Sequence, residues 1–339
     1  MRLKVMAIGG AVLAFLTVGA IGVFRYADTF WLYRGFPPPS VPKAVAVTRG
    51  GVTSRVSVSP GTTETFTLAS PALGGRSQVV YVFLPPGYFT DPTKHYPVLY
   101  LLHGHPGGPL NFLLAGRIGA LESVLVARRR MTPMILVMPY GSTGFLGPDE
   151  EWANGVRPHE GWETYLARDV VRAVDAGYRT IPAGWARALV GLSEGGYGAL
   201  NIGVHHPGEF RVLESWSGYV RAANIASIFG GREALLRWNS PALTLPAAAR
   251  ALRAAHTFVW FYSGSIDGLL RQNEQFEREL AQLGISSHFS VLRGGHDWAL
   301  WRGDAANALL AASEHLVPPR APAGARHVPG TGGAGQSHG

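Results

Sequence analysis

The sequence predicts one α/β domain with a mostly parallel central sheet covered by helices on both faces. From Val98 onward, short β-branched and aliphatic runs alternate with stretches able to form helices, the pattern of parallel strands joined by helical crossovers. Ahead of Val98 the strand candidates sit close together with turn residues between them, which marks an antiparallel start. Hydrophobic residues make up 47% of the chain and charged residues 15%, a balance that supplies a large core and excludes a disordered chain. A length of 339 residues does not fix the number of domains, so the alternation decides for one.

Residues 1–25 hold an uncharged, mostly apolar run from Val5 to Phe24, preceded by Arg2 and Lys4 and closed by Arg25. The run is long enough to cross a bilayer as a helix, and its basic flank stays inside. A cleaved signal peptide is the competing reading, because Val18-Gly19-Ala20 offers the small residues that cleavage requires. The apolar run continues past that point, which favours the anchor. Residues 26–45 contain Pro37, Pro38, Pro39 and Pro42 and read as a stiff spacer.

The globular domain is expected over 46–316. Its strand candidates are Val52–Val58, Thr62–Leu68, Gln78–Leu84, Val98–Leu102, Ile135–Met138, Ala188–Gly191, Val212–Trp216, Thr257–Ser263 and His288–Leu292. The clearest helical patterns are Trp162–Tyr178, Gly195–His206, Leu270–Leu283 and Asp304–Leu316, and Val220–Arg253 reads as an inserted or lid-like stretch. Residues 317–339 are rich in Pro, Gly and Ala without an apolar period and read as a disordered tail.

The net charge of +8 comes from scattered basic residues, with Arg128, Arg129 and Arg130 the one dense run; no basic face or binding module points to nucleic acid. The absence of cysteine excludes disulfides, thiolate metal sites and a cysteine nucleophile.

The strongest local signal is Gly191-Leu192-Ser193-Glu194-Gly195, set between the apolar run Ala188-Leu189-Val190 and a helix-compatible stretch. Glycines on both sides permit a turn too tight for side chains, which lifts the serine hydroxyl above the sheet as a nucleophile. A serine hydroxyl needs a base, and in this arrangement the base follows it in the chain. Of the later histidines, His205 and His206 end a helix, where a cation answers the helix dipole, and His256 and His288 open strands. His296, in Gly294-Gly295-His296-Asp297-Trp298 after the last strand, is the candidate base. A developing oxyanion needs two backbone N–H donors. Glu194 supplies one, and His105 supplies the other from His103-Gly104-His105-Pro106-Gly107-Gly108, with Gly104 as the alternative. The His103-x-His105 spacing also suits a metal, but no third ligand lies nearby, so neither a metal nor another cofactor is expected. Trp152, Trp162, Trp216, Trp298 and Trp301 fall near the presumed site and are read as packing.

These motifs resemble a family of α/β-hydrolases, the esterase group that holds esterase D (S-formylglutathione hydrolase), feruloyl esterases, enterochelin esterases and the mycobacterial mycolyltransferase antigens. The likeness spans roughly Ser77 to Leu316 and rests on Val82-Phe83-Leu84-Pro85-Pro86-Gly87-Tyr88, Tyr96-Pro97-Val98-Leu99-Tyr100-Leu101-Leu102-His103-Gly104, the elbow with Gly198-Ala199-Leu200, and Gly295-His296-Asp297-Trp298 with Trp301. The resemblance implies an α/β-hydrolase fold with a small or absent cap, an open cleft, and a triad of Ser193, Asp267 and His296. Among the acids Asp267, Glu274, Asp297 and Asp304, this fold takes the one on the loop after the penultimate strand, before the histidine, which favours Asp267 over the helical Glu274. The expected activity is hydrolysis of a carboxylic ester, small-molecule, lipid or glycan, through an acyl-enzyme outside the cytoplasmic membrane. Transfer of the acyl group to a sugar hydroxyl is the alternative, since both reactions share that intermediate.

Overall fold

The computed structural model describes residues 19–20, 40–49, 51–142 and 151–316. The apolar span Val5–Phe24 apart from Gly19 and Ala20, the spacer up to Pro39 and the tail from Val317 lie outside the described residues. No helix among the described residues is long and apolar enough to cross a membrane.

Among the described residues ten strands form two sheets. Strands β1 (Ala44–Arg49) and β2 (Val52–Ser57) make a separate antiparallel hairpin. The other eight, β3 (Thr62–Ser70), β4 (Arg76–Leu84), β5 (Val98–Leu102), β6 (Ile135–Pro139), β7 (Arg187–Leu192), β8 (Val212–Trp216), β9 (Phe258–Gly264) and β10 (Ser286–Leu292), pair in the order β10-β9-β8-β7-β5-β6-β4-β3. Pairing is antiparallel at β3/β4 and β4/β6 and parallel everywhere else in this sheet. Strands β5 to β8 are buried at every residue, which is why their sequences are continuous apolar runs without alternation.

The helices described from Leu110 onward follow the same logic: α1 (Leu110–Leu114), α2 (Ile118–Ala127), α3 (Trp162–Thr164, running on through a π-helical Tyr165–Val170 into Val171–Gly177), α4 (Glu194–His205), α5 (Glu233–Trp238), α6 (Pro241–Ala254), α7 (Leu270–Gln282) and α8 (Trp298–His315). One face of the sheet packs α3, α4, α6 and α7 through residues such as Trp162, Leu200, Leu245 and Phe276. The other packs α1, α2 and α8 through Phe112, Ile118, Trp301 and Leu309. Residues on β5 divide between them: Val98, Tyr100 and Leu102 face the first core, Leu99 and Leu101 the second.

The expected strands and long helices stand where the periodicity puts them, Val98–Leu102 and Val212–Trp216 unchanged and the other ends moved by up to six residues. Helix α8 begins six residues before Asp304, because Asp297 caps it by accepting the Leu300 N–H at 3.0 Å. Strand β1 and helices α1 and α2 carried no clear period and were not expected. The stretch from Val220 to Arg253 folds as α5 and α6 against α4, held by Tyr197 Oη donating to the Asn239 carbonyl at 2.9 Å and by Asn201 on Asn239 at 3.1 Å.

His205 and His206 do more than answer a helix dipole. Both contact the buried carboxylate of Glu163 on α3, His205 through Nδ1 at 3.1 Å and His206 through Nε2 at 2.9 Å, while His205 stacks on Trp238 of α5. Burial opposes ionisation of Glu163, but hydrogen bonds from the two imidazoles outweigh it and pull the carboxyl down to about 2. The folded carboxyl thus ionises more readily than the unfolded one. Its contribution is complete above the unfolded value and is lost as pH falls through about 2. Glu163→Gln is expected to lower unfolding free energy at pH 7 by roughly 2 kcal/mol. In urea denaturation the gap to the parent closes on acidification below about pH 4.5; a gap that persists unchanged to low pH contradicts the assignment.

Candidate active site

The parallel strands end on one edge of the sheet, and three loops converge there. Strand β7 runs into Ser193, which heads α4 with φ 55° and ψ −119°, a conformation that L residues rarely adopt. Close packing of the surrounding backbone enforces it. A Cβ on Gly191 would lie 2.0 Å from the Gly195 carbonyl oxygen, and one on Gly195 would lie 1.9 Å from that of Leu102 at the end of β5. The Ser193 N–H donates to the Trp216 carbonyl of β8 at 2.9 Å, which ties the turn to the neighbouring strand.

The second loop follows β9 and the third follows β10. They are laced together by Ser265 N–H to the Leu292 carbonyl at 2.7 Å and Ile266 N–H to the Gly294 carbonyl at 3.1 Å. This brings Asp267 against His296, whose Nδ1 contacts Asp267 Oδ2 at 3.0 Å while Nε2 contacts Ser193 Oγ at 2.8 Å. Asp267 also accepts the Leu269 N–H at 2.9 Å. Burial opposes its ionisation, yet the hydrogen bonds from His296 and Leu269 prevail and hold the carboxyl below its ordinary value. A carboxylate on Nδ1 fixes the imidazole with its proton on that nitrogen and leaves Nε2 as acceptor for the serine hydroxyl. The other three acids are elsewhere employed or elsewhere placed. Asp297 caps α8, Asp304 accepts from Asn307 at 2.6 Å, and Glu274 is on α7. Below His296 the ring of Trp301 stands edge-on at 5.1 Å between centroids, and Trp298 backs Trp301 at 5.3 Å.

His105 and Glu194 border one small pocket of about 50 Å³ beside Ser193. The first N–H groups of α4 have no intrahelical acceptor and carry the positive end of the helix dipole, so negative charge developing near Ser193 Oγ meets them. The loop that supplies the other wall is clamped from behind. Trp152 Nε1 donates to the His103 carbonyl at 3.0 Å, and the Gly141 N–H donates to His103 Nε2 at 3.0 Å. The second contact makes Nε2 an acceptor, so the proton is on Nδ1, which donates to the Gly104 carbonyl at 3.0 Å. Both nitrogens of His103 are engaged by backbone, and no cluster of three candidate ligands occurs among the described residues.

All five tryptophans noted in the sequence are buried. Trp152 is the one whose part in the site the sequence did not disclose. Its ring fills a slot where a Cβ on Gly141 would approach it to 2.3 Å, and a Cβ on Gly198 would lie 2.6 Å from the Trp152 Cβ. Glu151 and Trp152 both adopt positive φ, 49° and 48°, to put it there. The signal was present as glycines at 141 and 198, but nothing local connects them to Trp152.

Burial pushes the His103 imidazole down to about 4. Because the unfolded imidazole takes up a proton first, stability falls as pH drops from the unfolded value toward 4. Nitrogen-detected NMR at pH 5 should show His103 neutral and protonated on Nδ1, and His103→Asn should flatten the stability loss between about pH 6.5 and 4. A charged His103 at pH 5 contradicts the clamp.

A family model described as "Putative esterase" matches residues 70–312. An uncharacterized protein of Corynebacterium glutamicum is 27% identical over 248 residues, which cover 69% of this chain and 56% of that protein. The endo-1,4-beta-xylanase/feruloyl esterase of Xylanibacter ruminicola is 31% identical over 140 residues, 40% of this chain and 19% of that protein. The chain therefore spans about half of the first relative's length and about a fifth of the second's. Among solved structures, a ferulic acid esterase superposes with a TM-score of 0.67 at 26% identity, covering 75% of this chain and 99% of its own.

Proposed function

Since the chain belongs to the Putative esterase family and has its α/β-hydrolase fold, we propose that it is a serine hydrolase that cleaves carboxylic esters through an acyl-enzyme. One observation carries the reading: Ser193 Oγ is 2.8 Å from His296 Nε2, and His296 Nδ1 is 3.0 Å from Asp267, on an elbow that heads a helix. The names of the feruloyl esterase and ferulic acid esterase relatives support the same bond class.

In the proposed reaction His296 Nε2 takes the hydroxyl proton as Oγ bonds to the ester carbonyl carbon. Asp267 stabilises the imidazolium without itself taking the proton. The oxyanion draws on the backbone N–H of Glu194 and on that of His105 or Gly104. Collapse of the tetrahedral intermediate breaks the ester C–O bond, and the imidazolium returns the proton to the departing alcohol. Water then repeats the sequence on the acyl-enzyme, His296 again taking the proton, and the acid leaves with Ser193 restored. We also propose that the domain works outside the cytoplasmic membrane, a reading supported by the uncharged run Val5–Phe24 behind Arg2 and Lys4.

An organophosphonate probe is expected to label Ser193, with labelling abolished in Ser193→Ala and slowed at least ~10²-fold in His296→Ala, read by intact mass. Full-rate labelling without the imidazole removes His296 from its role.

Turnover of p-nitrophenyl esters should fall at least ~10²-fold in Asp267→Asn, about 2.7 kcal/mol, and change little in Glu274→Gln. The reverse pattern transfers the acid's role to Glu274. In the same assay the acyl group should appear as free acid whether or not a sugar acceptor is present; acylated sugar as the main product makes the protein a transferase instead.

A further inference from the structure

The opposite edge of the sheet, where β8, β9 and β10 begin, carries a second cluster. Arg211, Thr257 and Ser286 stand just before or at the starts of these strands and line a surface cleft of about 330 Å³ together with Arg253, His256 and His315. No carboxylate lines the cleft, and neither arginine has an ion pair among the described residues.

Helix ends account for part of this. Arg253 is in the last turn of α6 and donates to the Leu283 carbonyl at 2.5 Å; His315 is in the last turn of α8, its Nδ1 at 2.9 Å from the Ala311 carbonyl. The Arg253 cation answers the dipole of α6, and the His315 ring meets a carbonyl of the last turn of α8. The same argument does not reach Arg211 or Thr257. Arg211 Nη1 finds only the Ala255 carbonyl at 3.5 Å, and its buried Nε has no acceptor. Thr257 is 2% exposed, and its Oγ1 has no partner. Leaving a buried donor unmet costs about 1–3 kcal/mol, and two such donors stand on this one cationic cleft.

We propose that this cleft binds a phosphate group. Arg211 and Arg253 offer forked donors of the kind that pair with tetrahedral oxyanions, and Thr257 Oγ1 supplies a buried hydroxyl donor. His315 lies flat on Phe258, with centroids 3.6 Å apart and planes 3° from parallel, and its Nδ1 contact leaves Nε2 for a ligand. His256 and Ser286 are exposed at the rim, so the group can arrive as the free ion or carried on a larger molecule.

Calorimetric titration of the full-length protein with inorganic phosphate is expected to give saturable binding with a Kd of about 1 mM or tighter. Arg211→Gln should weaken it by about tenfold or more, the effect of losing a charge-assisted pair. Thr257→Val should weaken it by roughly threefold or more without lowering Tm in the absence of phosphate, because it removes an unmet hydroxyl as well as a ligand. Ser193→Ala should bind as the parent does, which keeps this test separate from the ester reading. A sugar phosphate that binds more tightly than the inorganic ion assigns the site to a carried phosphoryl group, and one that binds more weakly assigns it to the free ion. Absence of saturable binding, or binding indifferent to both Arg211→Gln and Thr257→Val, overturns the proposal.

Discussion

The approach of the Gly195 Cα to the Leu102 carbonyl is the contact on which the site depends. It lets α4 start directly over the end of β5, a separation at which a Cβ would sit 1.9 Å from a carbonyl oxygen. Ser193 takes up the resulting turn at φ 55°, a strain of order 1–3 kcal/mol that the buried strands β7 and β8 and the fully buried body of α4 hold in place. The hydroxyl is thereby fixed above the sheet. In the proposed reaction a serine in a relaxed turn would have several rotamers and backbone basins to lose, and that loss would appear in the barrier.

The same rigidity extends to the partners of Ser193. The loops that carry Asp267 and His296 are joined by backbone hydrogen bonds, and the two side chains meet between them at 3.0 Å. On the other side, Trp152 and the Gly141 N–H hold His103 from two directions, and His103 in turn fixes the Gly104 carbonyl. Keeping that imidazole neutral is what makes the clamp work: a proton on Nε2 would face the Gly141 N–H with a second donor. Burial, which disfavours the charged ring, secures the acceptor.

Much of this was legible because the signals were local. Ser193 announced itself through glycines two residues to each side, between a strand and a helix. His296 followed a glycine pair after the last strand, and Asp267 came from the chain order that the fold imposes. What was not legible depends on distant partners. Trp152 is indistinguishable from a core tryptophan until Gly141 and Gly198 are seen to open a slot for it. Glu163 and the pair His205 and His206 are about forty residues apart and meet only when α3 and α4 pack side by side. Strand β1 gains its strand character from pairing with β2, and the short α1 and α2 are set by packing of Phe112 and Ile118 under the sheet rather than by a period of their own.

Strands β8 and β9 connect the two ends of the domain. At one end the Trp216 carbonyl holds Ser193 and the Tyr262 carbonyl holds the Ser217 N–H; at the other, Arg211 and Thr257 face the cationic cleft. Both strands are buried on both faces at every residue, so neither can slip without sending its whole set of side chains to the wrong core. The strained turn at Ser193 and the unmet donors of Arg211 and Thr257 thus stand at opposite ends of the same two strands. Stability spent on each is borne by the same two strands, which is the physical reason that one compact sheet accommodates both a strained turn and a cationic cleft.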